Sequence, residues 1–295
     1  MSVDCGKPRL SDQQIKHLAD LGQQIDSGAQ PLVFDGGFVN VRSRTEREVK
    51  QDAAKSYSRN RPKAGSRKGQ RTWTRTSRAP EPFRSRTHET TFGNEFRILV
   101  RHYEALSFED KHGLWVAAKS SPLGSGGPQA FFLIALPLDQ KKDPRGWAFA
   151  NLGLRAQLSP LKHTNFPDAS ICAFTKKSEA WLPSDGITAL LDHYSLWAAK
   201  SWHRSVFGWW PGRQIGIGSF YRRKEFVDKE YCGCDSGKRY SHCHRAIDNL
   251  VTEQKARSEF EQLFRTKYEQ RAAPNVILKA AQTKWREMPQ MIDLL

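Results

Sequence analysis

Three cysteines and a histidine near the C-terminus form two close pairs of soft ligands, Cys232-Gly233-Cys234 and Cys243-His244, eight residues apart. Three thiolates and an imidazole are the donors of a tetrahedral zinc shell, with His242 second in line to His244 for the fourth place. Protein would fill all four positions, so no place is left for a reacting water and the ion is structural. Asp235-Ser236-Gly237 supplies the turn that folds one pair onto the other, Gly237 being free to take a positive φ. A loop with so little apolar content would draw most of its folding energy from ligation. Five cysteines is an odd number, and these spacings are a poor disulfide framework.

A fourth cysteine, Cys172, stands apart in Lys162-His163-Thr164-Asn165-Phe166-Pro167-Asp168-Ala169-Ser170-Ile171-Cys172-Ala173-Phe174, ahead of Trp181-Leu182-Pro183. A thiolate is a strong nucleophile, but a lone cysteine at a strand end is more often an ordinary packing residue. No Cys-His-Asp order of a protease surrounds it. The fifth, Cys5, takes no role. His193, beside Asp192 and Tyr194, reads as a helix-surface residue, and Gly216-Ile217-Gly218 lacks the third glycine of a dinucleotide loop.

The elements that must position these groups are legible in outline. Ile15, Leu18, Leu21 and Ile25 at near-helical spacing, opened by Ser11-Asp12-Gln13-Gln14, predict a capped helix over 11–26. Phe96–Val100, Leu114–Ala118, Phe131–Leu136 and Trp147–Phe149 read as strands of an antiparallel meander, punctuated by Ser121–Pro128. From Ser184 to Val206, Ile187, Leu190, Leu191, Tyr194, Trp197, Ala198 and Trp202 share one helical face that would cover the sheet. Trp209 and Trp210 would close the core behind it. Ala246–Gln270 reads as one more amphipathic helix carrying Leu250, Phe260, Leu263 and Phe264. The fold class expected is α+β.

Charge divides the chain further. The net charge is +16, and 41–88 holds fifteen Lys or Arg against Glu46, Glu48, Asp52 and Glu81, hence +11 of the total. That stretch has no apolar period and is expected to be disordered: a solvated linker, or an arm for nucleic acid or an acidic partner with Trp73 as a stacking residue. Four segments follow: 1–40 with the short helix, 41–88 as basic linker, 89–212 as the globular domain, and 213–295 with the cysteine–histidine cluster and C-terminal helices. The longest apolar run, Ala130–Leu138, is far short of a membrane helix, and Met1-Ser2-Val3-Asp4 opens no secretory signal, so a cytoplasmic protein is expected.

Two resemblances sharpen this outline. Tyr231–His244, with Ser236-Gly237-Lys238-Arg239-Tyr240 between the ligand pairs, resembles the SEC-C motif, the zinc module at the tail of the bacterial protein-translocation ATPase, which usually docks a partner. The order of meander, His163-Thr164-Asn165, Ser170-Ile171-Cys172, Trp181-Leu182-Pro183 and covering helix resembles the ubiquitin-conjugating enzyme fold, in its divergent prokaryotic members, over about 92–210. Thr164 stands where that family has proline and Ala169 where it has glycine, and the Asn165-to-Cys172 spacing is one residue shorter than usual.

The second resemblance implies a catalytic set of Cys172, Asn165 and His163. Cys172 would carry an acyl group as a thioester for attack by an amine. Asn165 would stabilise the developing oxyanion, and His163 would fix the turn that presents it. Nothing in the sequence binds ATP, so a separate activating enzyme would be a partner. The donor would be a ubiquitin-like protein or a nucleotidyltransferase, as in antiphage operons of the cyclic-oligonucleotide signalling or bacterial ubiquitin-like kind. Two alternatives stay open: an inactive scaffold of the same fold, and a non-catalytic adaptor that binds nucleic acid or protein through the basic arm and zinc module.

Overall fold

In a computed structural model of the protein, residues 10–28, 32–34, 37–39, 93–110, 113–123, 127–137, 142–150, 162–174, 180–234 and 236–282 are described. The basic stretch 41–88 with Trp73, and Cys5, lie outside them. The described chain is α+β. Helix α1, Asp12–Ser27, starts where the spacing predicts: Ser11 Oγ accepts from Gln14 N–H while the Gln14 side chain accepts from Ser11 N–H. A small hairpin of β1, Leu32–Phe34, and β2, Gly37–Val39, follows.

The run Phe96–Val100, expected as a strand, is helical instead, inside α2, Gly93–His102. Leu99 and Tyr103 are buried, Phe96 packs against the same core, and Ile98 and Val100 are exposed. Inward positions three and four residues apart are a helix period, which a five-residue apolar run does not distinguish from a strand. The first strand of the meander is β3, Glu104–Asp110, whose Glu104, Glu109 and Asp110 disguise it. It lies at the sheet edge, where charges are tolerated.

The sheet continues through β4, Gly113–Lys119, β5, Phe131–Pro137, and β6, Arg145–Phe149, each antiparallel to the last in the order β3-β4-β5-β6. Register sets the two faces: Val116 pairs with Ile134 and Phe132 with Ala148 on one, while Ala117 pairs with Leu133 and Leu133 with Trp147 on the other. Both faces are covered, so β4 is buried along nearly its whole length rather than alternately.

A 3-10 turn, Pro183–Asp185, leads into α3, Gly186–Phe207, which covers the first face; all seven residues assigned to its apolar side are buried there. Each such large side chain contributes roughly 1.5–3 kcal/mol on burial. Helix α1 joins this same core through Leu18. The second face packs Trp115, Leu133, Trp147 and Phe149 against Ile277, Ala280 and Ala281 of α7, Asn275–Gln282.

Between α3 and α7 the chain builds a smaller core. Helix α4, Gly218–Glu225, precedes the cysteine–histidine segment, which closes on a 3-10 turn at Tyr240–His242. The single helix expected over 246–270 is three pieces: α5, Arg245–Leu250, α6, Glu253–Phe264, and a 3-10 turn, Tyr268–Gln270. Val251 and Thr252 make the break: the extended backbone of Val251 ends α5, and the Thr252 hydroxyl caps α6 by accepting from Lys255 N–H. Leu250 and Leu263 face solvent, 85% and 61% exposed. No helix among the described residues is long and apolar enough to cross a membrane.

Candidate functional site

The cysteine–histidine segment is a tight knuckle. Tyr231 and Arg239 form an antiparallel bridge, with Cys232 N–H donating to Lys238 O and Tyr240 N–H to Glu230 O. Gly237 takes φ 70°, as the turn requires, and Gly233 takes φ 72° against the backbone of Gly216, where a Cβ would strike Gly216 N. The knuckle brings Cys232, Cys234, Cys243 and His244 together, all four donor atoms within 4.8 Å of one another. Cys232 Sγ lies 3.2 Å and Cys243 Sγ 3.3 Å from His244 Nδ1, with Cys234 and Cys243 sulfurs 3.4 Å apart.

This set can hold a metal ion. A ZnS3N tetrahedron has edges of about 3.6–3.8 Å, given Zn–S of about 2.3 Å and Zn–N of about 2.0–2.1 Å, so these three edges would spread by a few tenths of an ångström around an ion. His242 is not in the set; its Nδ1 faces Ser241 Oγ and the residue is exposed. Burial pushes the Cys232 thiol up to about 12, while the Ser236 hydroxyl beside Cys234 brings that thiol down to about 6. Behind the knuckle, Phe220, Tyr221, Phe226, Tyr240, Ala256 and Phe260 form one core with Cys232.

The second group lies on a hairpin-like turn. Thr164 bridges Ile171, Cys172 N–H donates to His163 O, and Asn165 N–H donates to Ser170 O, so His163, Asn165 and Cys172 share one small structure. Two residues of the turn take left-handed backbone, His163 at φ 51° and Ala169 at φ 52°. Ala169 is the position where the resembled family has glycine. The far side of the turn is tied to the sheet by Arg145, which pairs with Asp168 and donates to Ser170 Oγ, and by Trp147 Nε1, which donates to Asp168 O.

Each side chain of the expected catalytic set has definite surroundings. Cys172 is half-buried, and burial pushes its thiol up to about 11; Arg271 and Arg145 pull the other way and Glu225 adds to the rise. Asn165 Nδ2 donates to Ile171 O at 3.0 Å and Ser170 Oγ at 3.1 Å, which occupies both of its hydrogens. His163 is buried against the Trp210 ring, and burial holds it well below the ordinary histidine value. Gln214 Nε2 donates to Glu230 Oε2 and Tyr231 O, so its Oε1 faces the imidazole and His163 Nε2 carries the proton at 2.7 Å. A neutral, committed imidazole positions; it does not exchange protons. Trp181 Nε1 donates to Gly186 O and Asp185 accepts from Leu182 N–H, so Trp181-Leu182-Pro183 anchors the start of α3.

Buried charges that sequence reasoning missed join these two groups. Lys162, 1% exposed, donates to Glu225 O and to Glu230 Oε2, both at 2.5 Å, and Glu230 also accepts from Trp210 N–H. Arg271, equally buried, donates to Glu225 and to Thr164 O. Burial lowers Lys162 to about 8 although Glu230 pulls it up. The partners lie 46 to 107 residues apart in the chain, so no local pattern announces them.

Comparison with protein-family models, curated proteins and solved structures finds no match for the chain.

Proposed function

We propose that the protein is a ubiquitin-conjugating-enzyme-like acyl carrier with a structural zinc module of the SEC-C kind. The observation that carries this is the order along the chain: a four-stranded antiparallel meander, a turn holding His163 and Asn165 in register with Cys172, Trp181-Leu182-Pro183, and the long helix α3 across the sheet. The left-handed backbone at Ala169, where that family keeps glycine, adds to it.

In the proposed reaction a donor thioester, an activated protein C-terminus on another enzyme's thiol, is attacked by Cys172 sulfur. The carbonyl–sulfur bond to the donor breaks, the acyl–Cys172 bond forms, and the Cys172 proton passes to the departing thiolate. An amine then attacks the carbonyl and Cys172 leaves as thiol. Asn165 would turn one N–H from Ser170 Oγ or Ile171 O towards the oxyanion, and His163 would hold the turn. Three thiolates and an imidazole favour zinc, which would close the knuckle without entering the chemistry. A ubiquitin-like protein or a nucleotidyltransferase as donor, a separate activating enzyme, a cytoplasmic setting and a role in antiphage defence complete the proposal.

Intact-mass measurement of the protein, co-expressed with its neighbouring gene products and purified without reductant, tests it. A thiol-labile mass increase is expected in wild type, absent in Cys172→Ala and trapped as a stable amide in Cys172→Lys; an adduct that persists in Cys172→Ala rejects it. The high thiol value and the engaged Asn165 amide favour a second reading, a scaffold or adaptor in which Cys172 only packs. No adduct in wild type, with all partners present, selects that one.

A further inference from the structure

The Cys172 turn is built as much by the metal module as by the sheet. Working along it, Lys162 is held by Glu225 O and Glu230, His163 by Gln214, and Thr164 O by Arg271. Phe166 inserts into the module's own core, its ring 5.1 Å from Phe260, 4.9 Å from Phe264 and 4.4 Å under the Arg271 guanidinium. Pro167 O accepts from Ala272 N–H. Every residue from Lys162 to Pro167 except Asn165 thus has a partner between Gln214 and Ala272. The knuckle lies within that same stretch: Glu230 precedes Tyr231-Cys232, its carbonyl accepts from Tyr240 N–H, Gln214 Nε2 donates to Tyr231 O, and Cys232 shares a core with Phe260.

We infer that metal bound at Cys232, Cys234, Cys243 and His244 positions the Cys172 turn through Phe166, Lys162 and Arg271, so that loss of the metal loosens the turn and unmasks the Cys172 thiol. Where ligation supplies the folding energy of a segment, losing the ion loosens what that segment holds. Phe166 and Arg271 are positioning residues here. This concerns regulation of the cysteine used in the proposed conjugation, yet it is read from thiol chemistry alone.

The test uses the full chain loaded with zinc, iodoacetamide as probe, and peptide-resolved mass spectrometry to follow Cys172 separately from the ligand cysteines. Moving the Cys172 thiol from about 11 back to its ordinary 9.0 raises the thiolate fraction by roughly 100-fold, and lower intrinsic nucleophilicity offsets about half of that on a logarithmic scale. Chelation is therefore expected to speed Cys172 alkylation by about tenfold or more, to shift its pH profile downward, and to be reversed by added zinc. Phe166→Ala should alkylate at the fast rate with its zinc content intact, and chelation should then change it less than about twofold; Phe166→Leu should restore most of the protection. Unchanged Cys172 alkylation while Cys232, Cys234 and Cys243 become modified would overturn the inference. So would loss of amide-exchange protection in β4 and β5 on chelation, which would mean general unfolding. If alkylation follows the metal but no Cys172 adduct ever forms, the coupling stands and conjugation fails; the converse result separates them the other way.

Discussion

Asn165 spends both hydrogens of one amide on the turn, and the proposed conjugation would ask one of them to do a second job. Its two N–H groups hold Ile171 O and Ser170 Oγ, so Asn165→Ala should cost about 1–3 kcal/mol of stability by leaving those acceptors less satisfied. In the conjugation assay the same variant should still form the Cys172 thioester while transfer to an amine slows by about 10²–10³, the scale set by loss of an oxyanion donor; single-turnover discharge checks this. His163 makes a pH prediction. Burial keeps its folded value well below 6.5, so as pH falls below 6.5 the unfolded chain takes up a proton that the folded one refuses, and stability drops. Between pH 7 and pH 5 wild type should lose more stability than His163→Gln, by up to about 2 kcal/mol, the limit set by a histidine that stays neutral when folded, measured as urea midpoints. Acid release of a bound metal would affect both proteins alike and cancels in the difference.

Among the elements, α1 and α3 meet at a place where size decides. A Cβ on Gly22 would lie 2.2 Å from the His203 ring, so Gly22→Ala should destabilise by about 1–3 kcal/mol through overpacking. Leu250→Ser, by contrast, should change stability by less than about 0.5 kcal/mol, because Leu250 at the end of α5 faces solvent. Paired thermal melts compare the two. An uninterrupted helix over 246–270 predicts otherwise for Leu250, which would then share a stripe with Phe264.

For the whole molecule, the concentrated charge and the cysteine–histidine cluster that could hold a metal lie in separate parts of the chain. Deleting 41–88 removes +11 of the net +16 and leaves +5, so nucleic-acid binding that uses the arm should weaken and lose most of its salt dependence. The measurement is the slope of log affinity against log salt for full-length and deleted chains on one single-stranded oligonucleotide. A slope that survives the deletion would assign the contacts to the folded part instead. Arg239, paired with Asp26 on α1, fastens the knuckle to the body of the protein rather than leaving it free to bind phosphate.

The local patterns were enough for several features: the Ser11 capping box, the apolar face of α3, and the grouping of Cys232, Cys234, Cys243 and His244 all follow from spacings of three, four or a short turn. Each involves neighbours in the chain, and neighbour interactions are written in local order. Tertiary structure alone decided that Phe96–Val100 winds as a helix, since a short apolar run fits either period until a core selects one. It alone joined Lys162 to Glu230 and Arg271 to Glu225 and Thr164, because a buried charge is tolerated only where a partner arrives, and these partners come from distant parts of the chain. Spacing along the chain marked two groups of side chains, around Cys172 and around Cys232; packing made the cysteine–histidine segment one wall of the Cys172 turn.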